Sequence, residues 1–278
     1  MSKKLLIGTA GIPFSTKNRS TENGIKQVKE LGLGCMELEF VRSVNISKEK
    51  APEIKKIAEQ ESVELTVHAP FYINLNSIEK KKYYASINYI YSSAKIGFLC
   101  GAKSVTFHAG FYMKQEPKPV YEKIKEGVKE IEKKLLDVGI KIWLRPETTG
   151  KPTQWGSIEE IVSLSEECEL VQPCIDFSHL HARSKGKNNT LKEFTSNLSL
   201  VENKLGRKAL NELHMHLSGI NYSDKGERNH LILKESDMNY LDLLQALKDF
   251  KVKGWLICES PNLETDALLL KKEFSRLK

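Results

Sequence analysis

Six residues of metal-binding type recur along this chain in one local setting. His68, His108, Glu147, Asp176, His216 and Glu259 each stand at or near the C-terminal end of a short apolar or β-branched run. A single histidine in such a place is more often a hydrogen-bonded structural residue than a ligand. Six together are different. Burying several imidazoles and carboxylates without a cation leaves costly unpaired groups, whereas a divalent metal offsets that cost and fixes their protonation. The donors are nitrogen and oxygen only, which suits zinc, and also manganese or iron, better than calcium or magnesium. One catalytic metal takes three or four protein ligands and keeps a position open for water. This many donors implies two metals or more, with a carboxylate such as Glu147 able to bridge a pair.

The neighbouring residues extend the set. His179 follows Asp176 by three in Asp176-Phe177-Ser178-His179-Leu180-His181 and is a further ligand candidate, while His181 reads as an outer-shell or simple loop residue. His214 shares a face with His216 on a regular strand and sits deeper, as a structural residue. Cys35, Cys100, Cys168, Cys174 and Cys258 are odd in number and scattered. They match neither a disulfide framework nor a zinc-thiolate pair, and Cys174 and Cys258 read as core. The chain has no Gly-x-Ser-x-Gly elbow, phosphate-loop lysine motif or dinucleotide-binding glycine fingerprint.

Eight short buried-looking runs must position these groups: Leu5 to Gly8, Cys35 to Phe40, Glu64 to His68, Ser104 to His108, Lys141 to Glu147, Val171 to Asp176, Glu212 to Ser218 and Gly254 to Glu259. Lysine-rich segments of helical period separate them. Ile124, Val128, Ile131 and Leu135 make one helical stripe that Gly139 closes, and Ser157 with Glu160 forms a capping box for another helix. Tyr84, Ile87, Tyr91 and Ala94 are expected to be a third helix's core face. Repeated βα units predict an α/β fold, a single (β/α)8 TIM barrel forming one domain over residues 1–278. A doubly wound open sheet is the alternative, and eight units favour closure. In a closed barrel the strand ends converge on one rim. Two polar stretches, Ala182 to Thr190 and Ile220 to Asp237, break the rhythm and read as active-site loops.

With 278 residues, 40% of them hydrophobic and 28% charged, the composition excludes a disordered chain. A formal net charge of +7 suits a polyanionic partner without requiring one. Lysine runs such as Lys80-Lys81-Lys82 read as solvated helix surface. The N-terminal segment Met1 to Gly8 has too few apolar residues for a signal peptide or a membrane span and reads as the first strand. A cytoplasmic monomer with no membrane association is expected.

Six segments, His68-Ala69-Pro70-Phe71-Tyr72-Ile73-Asn74-Leu75, His108-Ala109-Gly110, Arg145-Pro146-Glu147, Asp176-Phe177-Ser178-His179, Met215-His216-Leu217 and Ile257-Cys258-Glu259, resemble the endonuclease IV class of abasic-site endonucleases. That class lies within the xylose-isomerase-like barrels, and the resemblance runs nearly end to end. It implies a zinc-dependent hydrolase that cleaves double-stranded DNA 5′ to an abasic site, leaving a 3′-hydroxyl and a 5′-deoxyribose phosphate. It further implies His68, His108 and Glu147 around one zinc and Glu147, Asp176, His216 and Glu259 around a second, with Glu147 and Glu259 as the catalytic carboxylates. A third zinc takes His179 with an aspartate and a histidine from an Asp-Arg-His triplet after the seventh strand. This chain departs there: Glu227-Arg228-Asn229-His230 has a longer acid, asparagine where histidine is expected, and His230 one position later. Arg42, Phe71 and Tyr72 fall where the class inserts side chains into DNA, although aromatic residues also pack barrel rims. Sugar isomerases and epimerases of the same superfamily share the pattern of Glu147, Asp176, His216 and Glu259, so a one-metal sugar isomerase or epimerase is the alternative. A barrel that binds DNA or a sugar without catalysis is a third reading.

Overall fold

The structure, a computed structural model, describes residues 4–277, so Met1, Ser2 and Lys3 of the expected N-terminal segment lie outside the described residues, as does Lys278. Eight parallel strands follow the eight expected runs: β1 (Leu5–Ala10), β2 (Cys35–Glu39), β3 (Glu64–His68), β4 (Ser104–Phe107), β5 (Trp143–Pro146), β6 (Cys174–Asp176), β7 (Leu213–Leu217) and β8 (Gly254–Cys258). Their order in the sheet is β5-β4-β3-β2-β1-β8-β7-β6. Single bridges from Leu144 to Val171 and from Glu147 to Cys174 join β5 to β6 and close the barrel. The β5 and β6 runs are shorter than expected for a local reason. Pro146 and Pro173 carry no N–H, so neither can donate to the ladder at this seam.

Helices α1 (Thr21–Glu30), α2 (Ala51–Glu61), α3 (Lys80–Leu99), α4 (Pro117–Leu136), α5 (Ile158–Glu167), α6 (Phe177–Arg183), α7 (Leu191–Leu205), α8 (Arg207–Asn211), α9 (Tyr240–Asp249) and α10 (Glu264–Arg276) fill the connections. On α4 the stripe Ile124, Val128, Ile131 and Leu135 is buried, as its spacing predicts. Past its end the Gly139 N–H donates to the Leu136 carbonyl and the Ile140 N–H to the Leu135 carbonyl, satisfying two otherwise orphaned acceptors. The capping box of Ser157 and Glu160 starts α5. Of the expected core face of α3, Ile87 and Ala94 are buried and Tyr91 packs partly buried against the core, whereas Tyr84 is corrected, being 56% exposed. The buried face is Ser86, Ile87, Ile90, Ser93, Ala94 and Gly97. Small and aliphatic residues let this helix lie close to the barrel, and the Tyr84 ring goes to the periphery, where its hydroxyl stays wet.

The expected polar insertion Ile220 to Asp237 is an ordered β-hairpin, Gly219–Ser223 against Gly226–Leu231, followed by a 3-10 turn at Leu233–Glu235. A second, smaller pair, Gly110–Phe111 with Gln154–Trp155, lies after β4 and β5. Among the described residues no helix is long and apolar enough to cross a membrane.

Candidate metal centre

The barrel brings the strand-end residues together as the pattern requires. His68 and Asp176 are the last residues of β3 and β6, His216 is the penultimate residue of β7, and His108, Glu147 and Glu259 stand one position past β4, β5 and β8. Glu147 is the hub. Its Oε2 lies 3.2 Å from His68 Nε2 and 3.0 Å from His108 Nε2, and its Oε1 lies 3.1 Å from His179 Nδ1 and 3.3 Å from His216 Nδ1. His216 Nδ1 is also 3.4 Å from Glu259 Oε1. Among the described residues four sets of donor atoms each lie within 4.8 Å of one another: three at the rim, namely His68, His108 and Glu147; Glu147, Asp176, His216 and Glu259; and Asp176, His179 and His230; and a fourth of Cys174, His214 and His216. The rim sets overlap at Glu147 and at Asp176, so adjacent ions would share a bridging carboxylate.

The Asp-x-x-His spacing has a local cause. Asp176 is the N-cap of α6, and its Oδ1 accepts the His179 N–H at 2.7 Å. Capping uses one carboxylate oxygen and leaves Oδ2 aimed at the site beside His179, one helical turn on. Thr148, which sequence reasoning overlooked, ties this corner together. Its hydroxyl accepts the Asp176 N–H at 2.8 Å, and its carbonyl lies 2.9 Å from His179 Nδ1.

The site fits a cation on its own evidence. Glu147 Oε1, Asp176 Oδ2 and His216 Nδ1 are buried with no hydrogen-bond partner, and all three face the shared region. Buried polar atoms are rarely left so, and converging anionic and lone-pair donors are what a divalent ion satisfies. The ionisation balance agrees. Burial opposes the charge of His68, yet its hydrogen bond to Glu147 and the charges of Glu147, Glu39 and Glu37 push it up to about 10. Burial also opposes ionised Glu147, but His108 and His216 hold its carboxyl well below the usual range. Glu259 goes the other way: burial, reinforced by Glu147 and Asp176, raises it to about 8. Without a cation, protons must supply the positive charge.

The hairpin after β7 supplies the outer part. Its ladder pairs Asn221 with Asn229 and Tyr222 with Glu227, so Arg228 is left unpaired as a bulge. Residues three apart normally point to opposite faces of a strand, but one bulged residue restores the alternation. Glu227 and His230 therefore share the inner face, and exposed Asn229 points away. Here lies the reason that histidine stands one position late: the bulge absorbs the extra residue. His230 completes the donor set with Asp176 and His179, whereas Glu227 stands further off, its Oε2 3.6 Å from His179 Nε2. The approach depends on Gly150, whose backbone carbonyl accepts the Glu227 N–H at 2.9 Å and where a Cβ would meet Glu227 at 2.6 Å.

His181 is fully buried, and its Nε2 lies 3.0 Å from Asp237 Oδ1 while Tyr222 donates to Asp237 Oδ2 at 2.6 Å. This trio clamps the hairpin onto α6 and belongs to its support. Arg42, Phe71 and Tyr72 are outside the donor cluster, exposed on the loops after β2 and β3. The two rings stand 58% and 60% exposed, packed edge to face. His214 is buried below His216, as its face predicts.

The residues missed altogether are Glu37 and Glu39. Both lie on β2 facing the barrel interior, and their signal was present in the alternating Glu37-Leu38-Glu39 of an otherwise buried run. Glu39 also borders, with Arg19, Asn45 and Ile46, a cavity of about 250 Å³ whose lining includes none of the donors. A larger cavity of about 770 Å³ opens at the opposite end of the barrel, among Glu64, Lys103 and Lys141, and holds none of the donors. The chemistry of the donors, not cavity size, locates the site.

A closed parallel barrel with a carboxylate- and imidazole-lined C-terminal rim defines a class of metal-site barrel proteins. The chain belongs to the xylose isomerase-like TIM barrel family, which matches residues 25–278. It is 45% identical over 273 residues, 98% of either chain, to an uncharacterized protein of Methanocaldococcus jannaschii. It is 22% identical over 203 residues to a probable endonuclease 4 of Mycoplasma pneumoniae, covering 71% of this chain and 68% of that protein. Among solved structures, a D-tagatose 3-epimerase-like protein superimposes with TM-score 0.71 at 18% identity, covering 96% of this chain and 97% of the other. Endonuclease IV from Thermus thermophilus also gives 0.71, at 16% identity, covering 97% and 100%. These structures share the fold, and fold similarity alone does not separate the two activities.

Proposed function

We propose that this protein is a zinc-dependent endonuclease that hydrolyses double-stranded DNA 5′ to abasic sites, in the manner of endonuclease IV. The observation that carries the reading is the overlap of three donor sets at the rim rather than one. A sugar isomerase needs only Glu147, Asp176, His216 and Glu259, and leaves His68, His108, His179 and His230 without a task. In the proposed roles His68 and His108 hold one ion with Glu147, which bridges to a second held by Asp176, His216 and Glu259. His179 and His230 hold a third with Asp176, Glu227 standing within reach of the same region. When bound, such ions lower the pKa of water and stabilise charge on attacking and leaving oxygens of a phosphodiester. Glu147 and Glu259, the catalytic carboxylates of this reading, would orient that chemistry from the barrel rim. In this reading Arg42, Phe71 and Tyr72, on the loops after β2 and β3, would meet the duplex, the two exposed rings being suited to stacking on bases.

The deciding experiment incubates zinc-replete protein with a duplex carrying one abasic site. Nicking that leaves a 3′-hydroxyl, at a rate far above that of Glu259→Gln protein, is expected. Equal rates for the two proteins sink the proposal. A second reading, a one-metal sugar epimerase, is favoured by the donor set of Glu147, Asp176, His216 and Glu259, which converges without the extra histidines. One tightly held ion per chain together with turnover of a free ketose would establish it, and two or three zinc ions count against it.

A further inference from the structure

We infer that Glu37 is the residue that orients His216 toward the metal, through a buried ion-pair junction inside the barrel that no resemblance of sequence pointed to. The inference rests on the metal-binding part of the proposed function and is independent of whether DNA is the substrate. Glu37 is fully buried on β2, two residues below the rim, and reaches across the barrel to β7, a strand with which β2 does not pair. Its Oε1 lies 2.9 Å from His216 Nε2, and its Oε2 lies 3.1 Å from His214 Nε2. The Thr66 hydroxyl, on the adjacent β3, donates to Oε2 at 2.7 Å.

The proton assignment follows from these contacts. An ionised carboxylate is acceptor-only, so its charge favours the proton on the Nε2 atom of each imidazole, although Glu37 Oε1 itself is not aligned for a hydrogen bond. His214 Nδ1 is then an acceptor for the Ser104 hydroxyl, 3.1 Å away. The two Nε2 atoms also stand 3.3 Å apart, within hydrogen-bond reach of each other. For His216 the consequence is chemical. With its proton held on Nε2, the Nδ1 lone pair is left to face Glu147 Oε1 and Glu259 Oε1, and that nitrogen has no hydrogen-bond partner. A carboxylate behind a ligating histidine fixes its tautomer and strengthens its basicity, and loss of such a partner commonly weakens metal affinity about 10- to 100-fold. Glu37 is thus a positioning residue: it touches neither the proposed ion nor substrate and acts through His216.

The four groups also explain one another's presence. A charge buried at this depth needs compensating partners: the Thr66 hydroxyl donates to Oε2, and His214 and His216 stand at ion-pair distance from Oε2 and Oε1. The deeper histidine is a counter-donor that stabilises the carboxylate where His216 needs it.

Two measurements test the inference. In zinc-loaded protein labelled with nitrogen-15 at histidine, two-bond proton–nitrogen spectra are expected to show His216 coordinated through Nδ1 with its proton on Nε2. Coordination through Nε2, or no zinc bound at all, overturns the inference using unaltered protein. Zinc affinity is then measured by chelator competition, without DNA, for Glu37→Leu and Glu37→Gln proteins whose circular dichroism matches the parent. Glu37→Leu removes every acceptor and is expected to lose roughly 10- to 100-fold in affinity for one ion. Glu37→Gln is expected to lose less, since its amide oxygen still accepts from His216 while His214 shifts its proton to Nδ1 and donates to Ser104. Affinity within twofold of the parent for Glu37→Leu overturns the inference. Zinc affinity that falls in protein that never nicks abasic DNA leaves Glu37 in its role and removes only the assigned substrate.

Discussion

The strand-end half of the site and the hairpin half are built differently. His68, Glu147, Asp176 and His216 are buried and project from or beside parallel strands; β3 and β7 are paired on both sides, and Glu147 and Asp176 flank the seam that the Glu147–Cys174 bridge closes. Glu227 and His230 ride on a two-stranded hairpin whose outer face is exposed, attached through the Gly150 contact and the clamp of His181, Tyr222 and Asp237. Strand ends in a barrel cannot shift individually, because each backbone is bonded to two neighbours. A hairpin can lift as a unit. The shared region of Glu147 is therefore the rigid, pre-formed part of the site, and the hairpin is the part that tolerates variation. The departure from the Asp-Arg-His triplet falls in that second part, where one bulge absorbs it.

The comparison can be broken most directly at Glu147. Because two donor sets use its carboxylate, Glu147→Gln is expected to lower the bound zinc count and reduce abasic-site nicking on the order of a thousandfold or more. Retained zinc count and rate show that the rim is not a shared centre.

Removing metal should expose the rigid half's charge balance. His68 in the folded protein is raised to about 10 from its ordinary 6.5, so its stabilising contribution is full below pH 6.5 and lost as pH climbs toward 10. Glu259, raised to about 8 from 4.5, works in the same direction between those values. The melting temperature of metal-free protein should therefore fall from about pH 6.5 to about pH 9.5, and zinc-loaded protein, whose imidazoles are neutral ligands, should fall less. Parallel curves for the two forms contradict this account.

The hairpin half predicts smaller and more local effects. Gly150→Ala places a methyl group 2.6 Å from Glu227 and should lift the hairpin at a cost of about 1–3 kcal/mol. Hydrogen exchange is expected to quicken across residues 219–231 and not along β3 to β8, with one zinc ion lost. Quickened exchange in the barrel strands themselves means that the halves are not separable. Smallest of all, Tyr72→Ala should weaken binding to an abasic duplex by about 1–3 kcal/mol without altering the zinc count. An unchanged dissociation constant leaves the exposed ring as rim packing.

Much of this was legible in one dimension. Alternating apolar runs and lysine-rich helical stripes specify βα units, because burial on both faces of a parallel strand and on one face of a helix leaves different periods. The end of each run then locates His68, His108, Glu147, Asp176 and Glu259, since the barrel puts every strand's C-terminal end on one rim. Asp176 as a helix cap with His179 one turn on is a local spacing, visible without any tertiary contact. What the one-dimensional pattern could not decide is what crosses the barrel. Glu37 meets His214 and His216 from a strand that never pairs with theirs, so no period or spacing encodes the contact. The inward face shared by Glu227 and His230 depends likewise on a bulge that exists only once two strands have paired. Local periodicity sets which residues reach the rim, and closure of the barrel sets which of them touch.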